Sequence, residues 1–179
     1  MALCLGLSLL SWLSGGWLAA LLGYNVNRVF VHGEVYRFFL SPFLHGSFSH
    51  FWGNMLVFAI FGPVMERRLD IEGYWTLFLI GQVSAMVVSS LIEIWYDSYS
   101  IGLSGVIYAF QAAYLMMIFT HPTTAWEKVV GYIGLIWILK DIWYSFSAGI
   151  RREDNIDHWG HLGGIIGGAF YVKYFFSDC

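Results

Sequence analysis

The chain has 179 residues, of which 58% are hydrophobic and only 12% charged, and its mean hydropathy is +0.64. Soluble domains carry roughly 25% charged residues, so the composition excludes an ordinary soluble domain and points to a membrane protein. A net charge of -3 gives no reason to expect nucleic acid as a partner. The 20 glycines and the 20% aromatic content suit membrane helices with interfacial Trp and Tyr. Cys4 and Cys179 stand at opposite ends and specify no disulfide framework. No basic n-region of a cleavable signal precedes the first apolar stretch.

A spanning helix needs about 20 mostly apolar residues, and six segments are expected to supply them. The first runs from Met1 to Leu22, with no domain expected before it. The second runs from His50 to Met65 and ends in Glu66-Arg67-Arg68. The third runs from Tyr74 to Ile94, and the fourth from Leu103 to Thr120, stopped by His121-Pro122. The fifth runs from Trp126 to Phe146 and carries Lys140 and Asp141 near its end. The sixth runs from Trp159 to Phe176. Helices are required because lipid offers backbone groups no partners. The fold class expected is therefore all-α, a polytopic membrane bundle of six transmembrane helices, as one domain over residues 1–179.

The segment Gly23 to Ser49 is too polar to span and too apolar for a free linker, so a folded loop partly embedded at the interface is expected. The other loops are short, which makes sequential helices neighbours. Charge does not choose an orientation. With the N-terminus inside, Arg67, Arg68, Lys128 and Lys173 oppose Arg28, Arg37, Arg151 and Arg152, and the positive-inside rule is balanced.

Polar residues inside a membrane default to a functional reading, and three groups qualify. Ser104 lies between Gly102 and Gly105 where the fourth segment begins; the glycines predict a sharp turn and a close approach. His161 starts the sixth segment and is followed by Gly163 and Gly164. His50 and Asn54 share a helix face at the start of the second, and both can donate hydrogen bonds. The second, fourth and sixth segments enter the membrane in the same sense, so all three groups fall on one side of the bilayer. A serine, a basic histidine and two donors point to hydrolysis by a serine nucleophile.

His161, Gly164 and Gly168 recur at i, i+3 and i+7, a face that lets the fourth helix approach through Ser104, Tyr108, Gln111 and Ala112. Gly163, about 100° round the helix, is expected to tolerate a side chain better. Asp157 precedes the sixth segment, where an acidic residue at a helix start needs no catalytic role; His158 is the rival base, disfavoured by the Gly-Gly after His161. For zinc, His45, His50, His158 and His161 offer nitrogens, but no carboxylate or cysteine at ligand spacing completes them, and no metal is expected.

These residues resemble the rhomboid family of intramembrane serine proteases. Gly102-Leu103-Ser104-Gly105 matches Gly-x-Ser-Gly, with Tyr108 where a tyrosine packs on the histidine. His161, Gly164 and Gly168 match His-x-x-Gly-x-x-x-Gly. His45, His50 and Asn54 match the family's His-x-x-x-x-His-x-x-x-Asn, Tyr36-Arg37 resembles its Trp-Arg, and Gly62 with Glu66-Arg67 resembles its Gly-x-x-x-Glu-Arg. The first helix and the loop from Ile150 to Asn155 match no motif.

The resemblance implies a six-helix rhomboid-like bundle with a cytosolic N-terminus and a site open to the exterior. It implies a cofactor-free Ser104–His161 dyad without a third acidic member, and an oxyanion hole from His50, Asn54 and the backbone N–H of Ser104. Tyr108, Gly102, Gly105, Gly164, Gly168 and His45 would support these groups, and Trp137 and Phe146 would line a lateral gate. The implied partners are transmembrane protein substrates and the lipid bilayer, in the plasma membrane, with an organelle membrane as the alternative. Because the family includes pseudoproteases, the competing reading is a non-catalytic protein that binds or escorts membrane helices; a histidine-lined metal transporter is a third.

Overall fold

The computed structural model describes residues 1–93, 98–121, 124–147 and 156–176. Ile94, Pro122, Arg151, Arg152, Cys179 and most of the loop between the fifth and sixth segments lie outside the described residues. Those that are described form helices: α1 (Ala2–Leu13), α2 (Trp17–Leu22), α3 (Val26–Phe30), α4 (Tyr36–Leu40), a 3-10 turn (Ser41–Phe43), α5 (Phe48–Glu66), α6 (Ile71–Glu93), α7 (Ser104–Thr120), α8 (Ala125–Ser147) and α9 (His158–Tyr174). An all-helical membrane protein is what the composition requires. Among the described residues three helices, α5, α6 up to Ile92 and α8, are long and apolar enough to cross a bilayer; α1 and α7 are shorter apolar helices.

The first expected span is not continuous. Gly15 and Gly16 take φ of 66° and 84°, left-handed conformations that glycine enters freely. They end α1 and turn the chain into α2, so Met1 to Leu22 is a helix, a turn and a second short helix.

The described chain forms two compact units. One comprises Met1–Ala59 with Ser90–Ser104, the other Ile60–Ser89 with Gly105–Cys179. In the first, the segment from Gly23 to Ser49 is a folded loop, as expected. Asn25 caps α3 by accepting from the Arg28 N–H at 2.9 Å, and its Nδ2 donates to the Ser98 carbonyl, also at 2.9 Å. Tyr24 is fully buried, its hydroxyl bonded to Ser90 Oγ at 2.5 Å and its backbone bridged to Ser100. Arg37 is buried and donates to Glu34 at 2.6 Å and to the carbonyls of Ala20 and Gly23 at 3.0 and 2.6 Å. This charge therefore braces the loop, and burial removes it from any simple count of topogenic charges.

In the second unit α7 is the centre. Every residue from Gly105 to Tyr114 is buried, as befits a helix that is apolar all round. Phe61, Met65, Leu77 and Ala85 of α5 and α6 are buried in this core along with Val106, Ala109 and Phe110 of α7 itself. The face of α8 with Tyr132, Ile133, Ile136, Leu139 and Trp143 is exposed, a surface suited to lipid rather than water. Arg68 pairs with Glu127, so a second counted charge is also partnered.

Candidate active site

The first unit holds His45, His50, Asn54, Gly102 and Ser104. His45 lies in the turn before α5 and is buried. Its Nδ1 is 3.1 Å from Ser8 Oγ, and its carbonyl accepts from Trp12 Nε1 at 2.7 Å. It ties α1 to the start of α5, and its ring meets that of His50 edge-on at 5.1 Å. His50 and Asn54 stand one turn apart near the head of α5. The fourth-segment turn passes directly against them: a Cβ built on Gly102 would lie 2.7 Å from His50 Cε1 and Nε2 and 3.3 Å from Asn54 Nδ2, and Gly102 has φ +120°. Only glycine fits that conformation and that gap. Asn54 Nδ2 is buried and makes no hydrogen bond among the described residues, a costly state for a donor with no further use. Ser104 follows two residues on, as the first residue of α7 and half-buried.

Burial, and secondarily the charge of His50, lowers the His45 imidazole from 6.5 to about 4. The unfolded chain then binds the extra proton between those values, so stability from neutral His45 is full above about pH 6.5 and is lost as pH falls towards 4. Thermal unfolding of the detergent-solubilised chain is expected to show a flat Tm above pH 6.5 and a fall below it, and His45→Gln should remove that part of the fall. An identical pH dependence in the variant contradicts this role.

The second unit holds Tyr108, Asp141, His158, His161 and the glycine face of α9. Asp157 caps α9: its Oδ1 accepts from the Gly160 N–H at 2.7 Å and its Oδ2 from Ser89 Oγ at 2.7 Å. This is the helix-start role expected of it. Close approach of α7 and α9 follows from the glycines. A Cβ on Gly164 would collide with the Gly105 carbonyl and come 3.2 Å from Gly105 Cα; one on Gly168 would collide with the Ala109 carbonyl. The row of α7 against these glycines is thus Gly105 and Ala109, which corrects the expected row of Ser104, Tyr108, Gln111 and Ala112 by about one residue. Gly163 is no freer: its Cβ would run into the Ser84 carbonyl and lie 2.8 Å from Ala85 Cα of α6. The expectation that this position tolerates a side chain is corrected, because α9 is wedged between two helices.

Tyr108 stacks on His161 with ring centroids 4.5 Å apart and planes at 26°. The sequence reading missed what lies beyond the ring. Asp141 of α8 is buried, and its Oδ1 lies 3.0 Å from the Nδ1 of both His158 and His161. His158 also stacks on Tyr144 at 5.8 Å, and Ser145 Oγ donates to the carbonyls of Asp141 and His158. The signal was a carboxylate near the end of an apolar span, which ought to have a buried partner. It also supplies the carboxylate that linear spacing did not reveal. Donor atoms of Asp141, His158 and His161 lie within 4.8 Å of one another, a group able to hold a metal ion. His45 and His50, the other two nitrogens weighed for zinc, belong to the first unit.

Comparison with known proteins resolves the family. The family described as the Rhomboid domain matches residues 32–178, well over half of the chain. The chain belongs to the rhomboid family. RHOMBOID-like protein 5 of Arabidopsis thaliana is 28% identical over 149 residues, covering 83% of this chain and 47% of its own length. Rhomboid protease GluP of Bacillus subtilis is 26% identical over 149 residues, 83% of this chain and 27% of its own. Rhomboid protease GlpG of Salmonella choleraesuis is 28% identical over 137 residues, 75% of this chain and 46% of its own. The rhomboid match thus spans about half or less of each of these relatives. The family and the apolar helices together make this an integral membrane protein.

Proposed function

We propose that this rhomboid is an intramembrane serine endopeptidase that cuts transmembrane proteins near the membrane surface. In this reading His161 Nε2 takes the proton of Ser104 Oγ, and the oxygen attacks the scissile carbonyl carbon. The C–N bond breaks as His161 returns that proton to the departing amine, leaving an acyl-enzyme. Water then attacks the ester and gives its proton to His161, which passes that proton to Ser104 Oγ as the ester C–O bond breaks, releasing the new carboxyl terminus and restoring Ser104. His50, Asn54 Nδ2 and the Ser104 N–H stabilise the oxyanion in both halves.

The observation that carries the reading is the buried, unpaired Asn54 donor beside the Gly102 turn, two residues before Ser104. The seating of Gly164 on Gly105, the residue bonded to Ser104, adds support. The test is reconstitution with single-span proteins and mass analysis of the products. Hydrolysis at a defined bond near the membrane surface is expected; intact substrates with demonstrable binding would favour the escorting role instead.

Asn54→Ala is expected to lower kcat without abolishing it. One oxyanion donor is worth on the order of 100- to 1000-fold in soluble serine proteases, and with two other donors present a loss of about 100-fold or less is expected. An unchanged kcat would make Asn54 a bracing residue.

A further inference from the structure

We infer that Asp141 is a positioning residue for His161, holding Nδ1–H so that the Nε2 lone pair stays available as the base. This inference rests on the reading of His161 as general base and adds an acidic member to a site that the motifs describe as a dyad. An ionised carboxylate only accepts hydrogen bonds. Both imidazoles meet the same oxygen, Asp141 Oδ1, through Nδ1 at 3.0 Å. Each Nδ1 therefore carries the proton, and in the neutral ring Nε2 is left bare. Tyr108 fixes the plane of the His161 ring from one face, while Asp141 fixes its rotation about that plane. Two weak constraints of different kind define one orientation.

The hydrogen bond also answers a physical need. His161 becomes an imidazolium during each proton transfer, in a buried place where a charge is costly. A carboxylate at hydrogen-bond distance offsets that cost while the barrier is crossed, as it does in soluble triads. The geometry comes from packing of α8 on α9 and is braced by Ser145, whose hydroxyl reaches the backbone of both helices. His158 shares the carboxylate, its ring stacked on Tyr144 and edge-on to that of His161 at 5.8 Å.

The test uses the full chain in detergent micelles with ¹⁵N-labelled histidine, the His161 ring being identified by its loss in His161→Gln. At mildly alkaline pH the native chain is expected to show His161 with Nδ1 protonated and no proton on Nε2. In Asp141→Asn the side-chain amide presents a donor, and the ring is expected to shift towards the Nε2–H tautomer. With a cleavable substrate kcat should fall on the order of 100-fold or more with KM nearly unchanged, and Asp141→Glu should restore part of it. Nε2–H in the native chain, Nδ1 occupied by a metal, or a native tautomer in Asp141→Asn would each overturn the inference. The tautomer is read without proteolysis. A chain with the expected tautomer that fails to react at Ser104 would overturn the protease reading and leave the Asp141–His161 pairing standing.

Discussion

Ser104→Ala and His161→Ala are each expected to abolish cleavage of a transmembrane substrate while leaving the protein inserted and folded. In the proposed mechanism Ser104 is the nucleophile and His161 the base, and each is needed for the acyl-enzyme to form. Removing either member of such a pair in a soluble serine protease costs on the order of 10⁶ in kcat. The structural cost differs between the two. Ser104 is half-buried at the first turn of α7, where losing one hydroxyl oxygen leaves little void. His161 is buried between the Tyr108 ring and Asp141, so its truncation leaves a cavity and strips Asp141 of one donor. His161→Ala should therefore melt at a lower temperature than Ser104→Ala, and His161→Gln, which refills most of the space, should be inactive yet nearer to native stability. Substantial residual cleavage in purified Ser104→Ala would remove the serine from the mechanism.

Gly164→Leu is expected to give the second-largest loss, in activity and stability together. The position has no room for even a Cβ, which would strike the Gly105 carbonyl. Overpacking of an interior costs about 1–3 kcal/mol, and the obstacle here is backbone, which yields less than a side-chain tip. The relief open to the protein is to move α9 away from α7. That displaces His161 together with its helix, and in the proposed mechanism a displacement of about 1 Å of a catalytic group can cost on the order of 100-fold in rate. Gly163→Leu should also lower Tm, since Ser84 and Ala85 block that face as firmly. Melting curves and cleavage rates of both variants measured together check this. Native activity in Gly164→Leu would show that the α7–α9 contact does not govern the site.

Much of the candidate site's local geometry was legible because the tight passages around its residues are local in sequence. Gly102 and Gly105 around Ser104, and the glycines after His161, announce tight backbone passages whatever the partner. His50 and Asn54 share a face by helical period alone. Asp141 was not legible in the same way. It is 20 residues from His161 on another helix, and no periodicity links the two. Its appearance beside Lys140 at a span's end reads as an interfacial charge until α8 is seen packed on α9. The neighbours of Gly163 were hidden for a related reason: a helical wheel gives the angle between two faces but not what occupies each. The break in the first span carried a readable signal, the Gly15-Gly16 pair, which apolar length had outweighed. Arg37 shows the limit of charge counting, since a buried arginine bonded to two carbonyls says little about orientation.

The most direct test of the central claim, that Ser104 is an activated nucleophile in a rhomboid protease, is covalent labelling by a fluorophosphonate probe in the membrane-embedded chain. The native protein should take up the probe at Ser104, identified by mass spectrometry of the modified peptide, and Ser104→Ala should take up none. No labelling of the native chain at any probe concentration, or equal labelling of the Ser104→Ala variant, would contradict it.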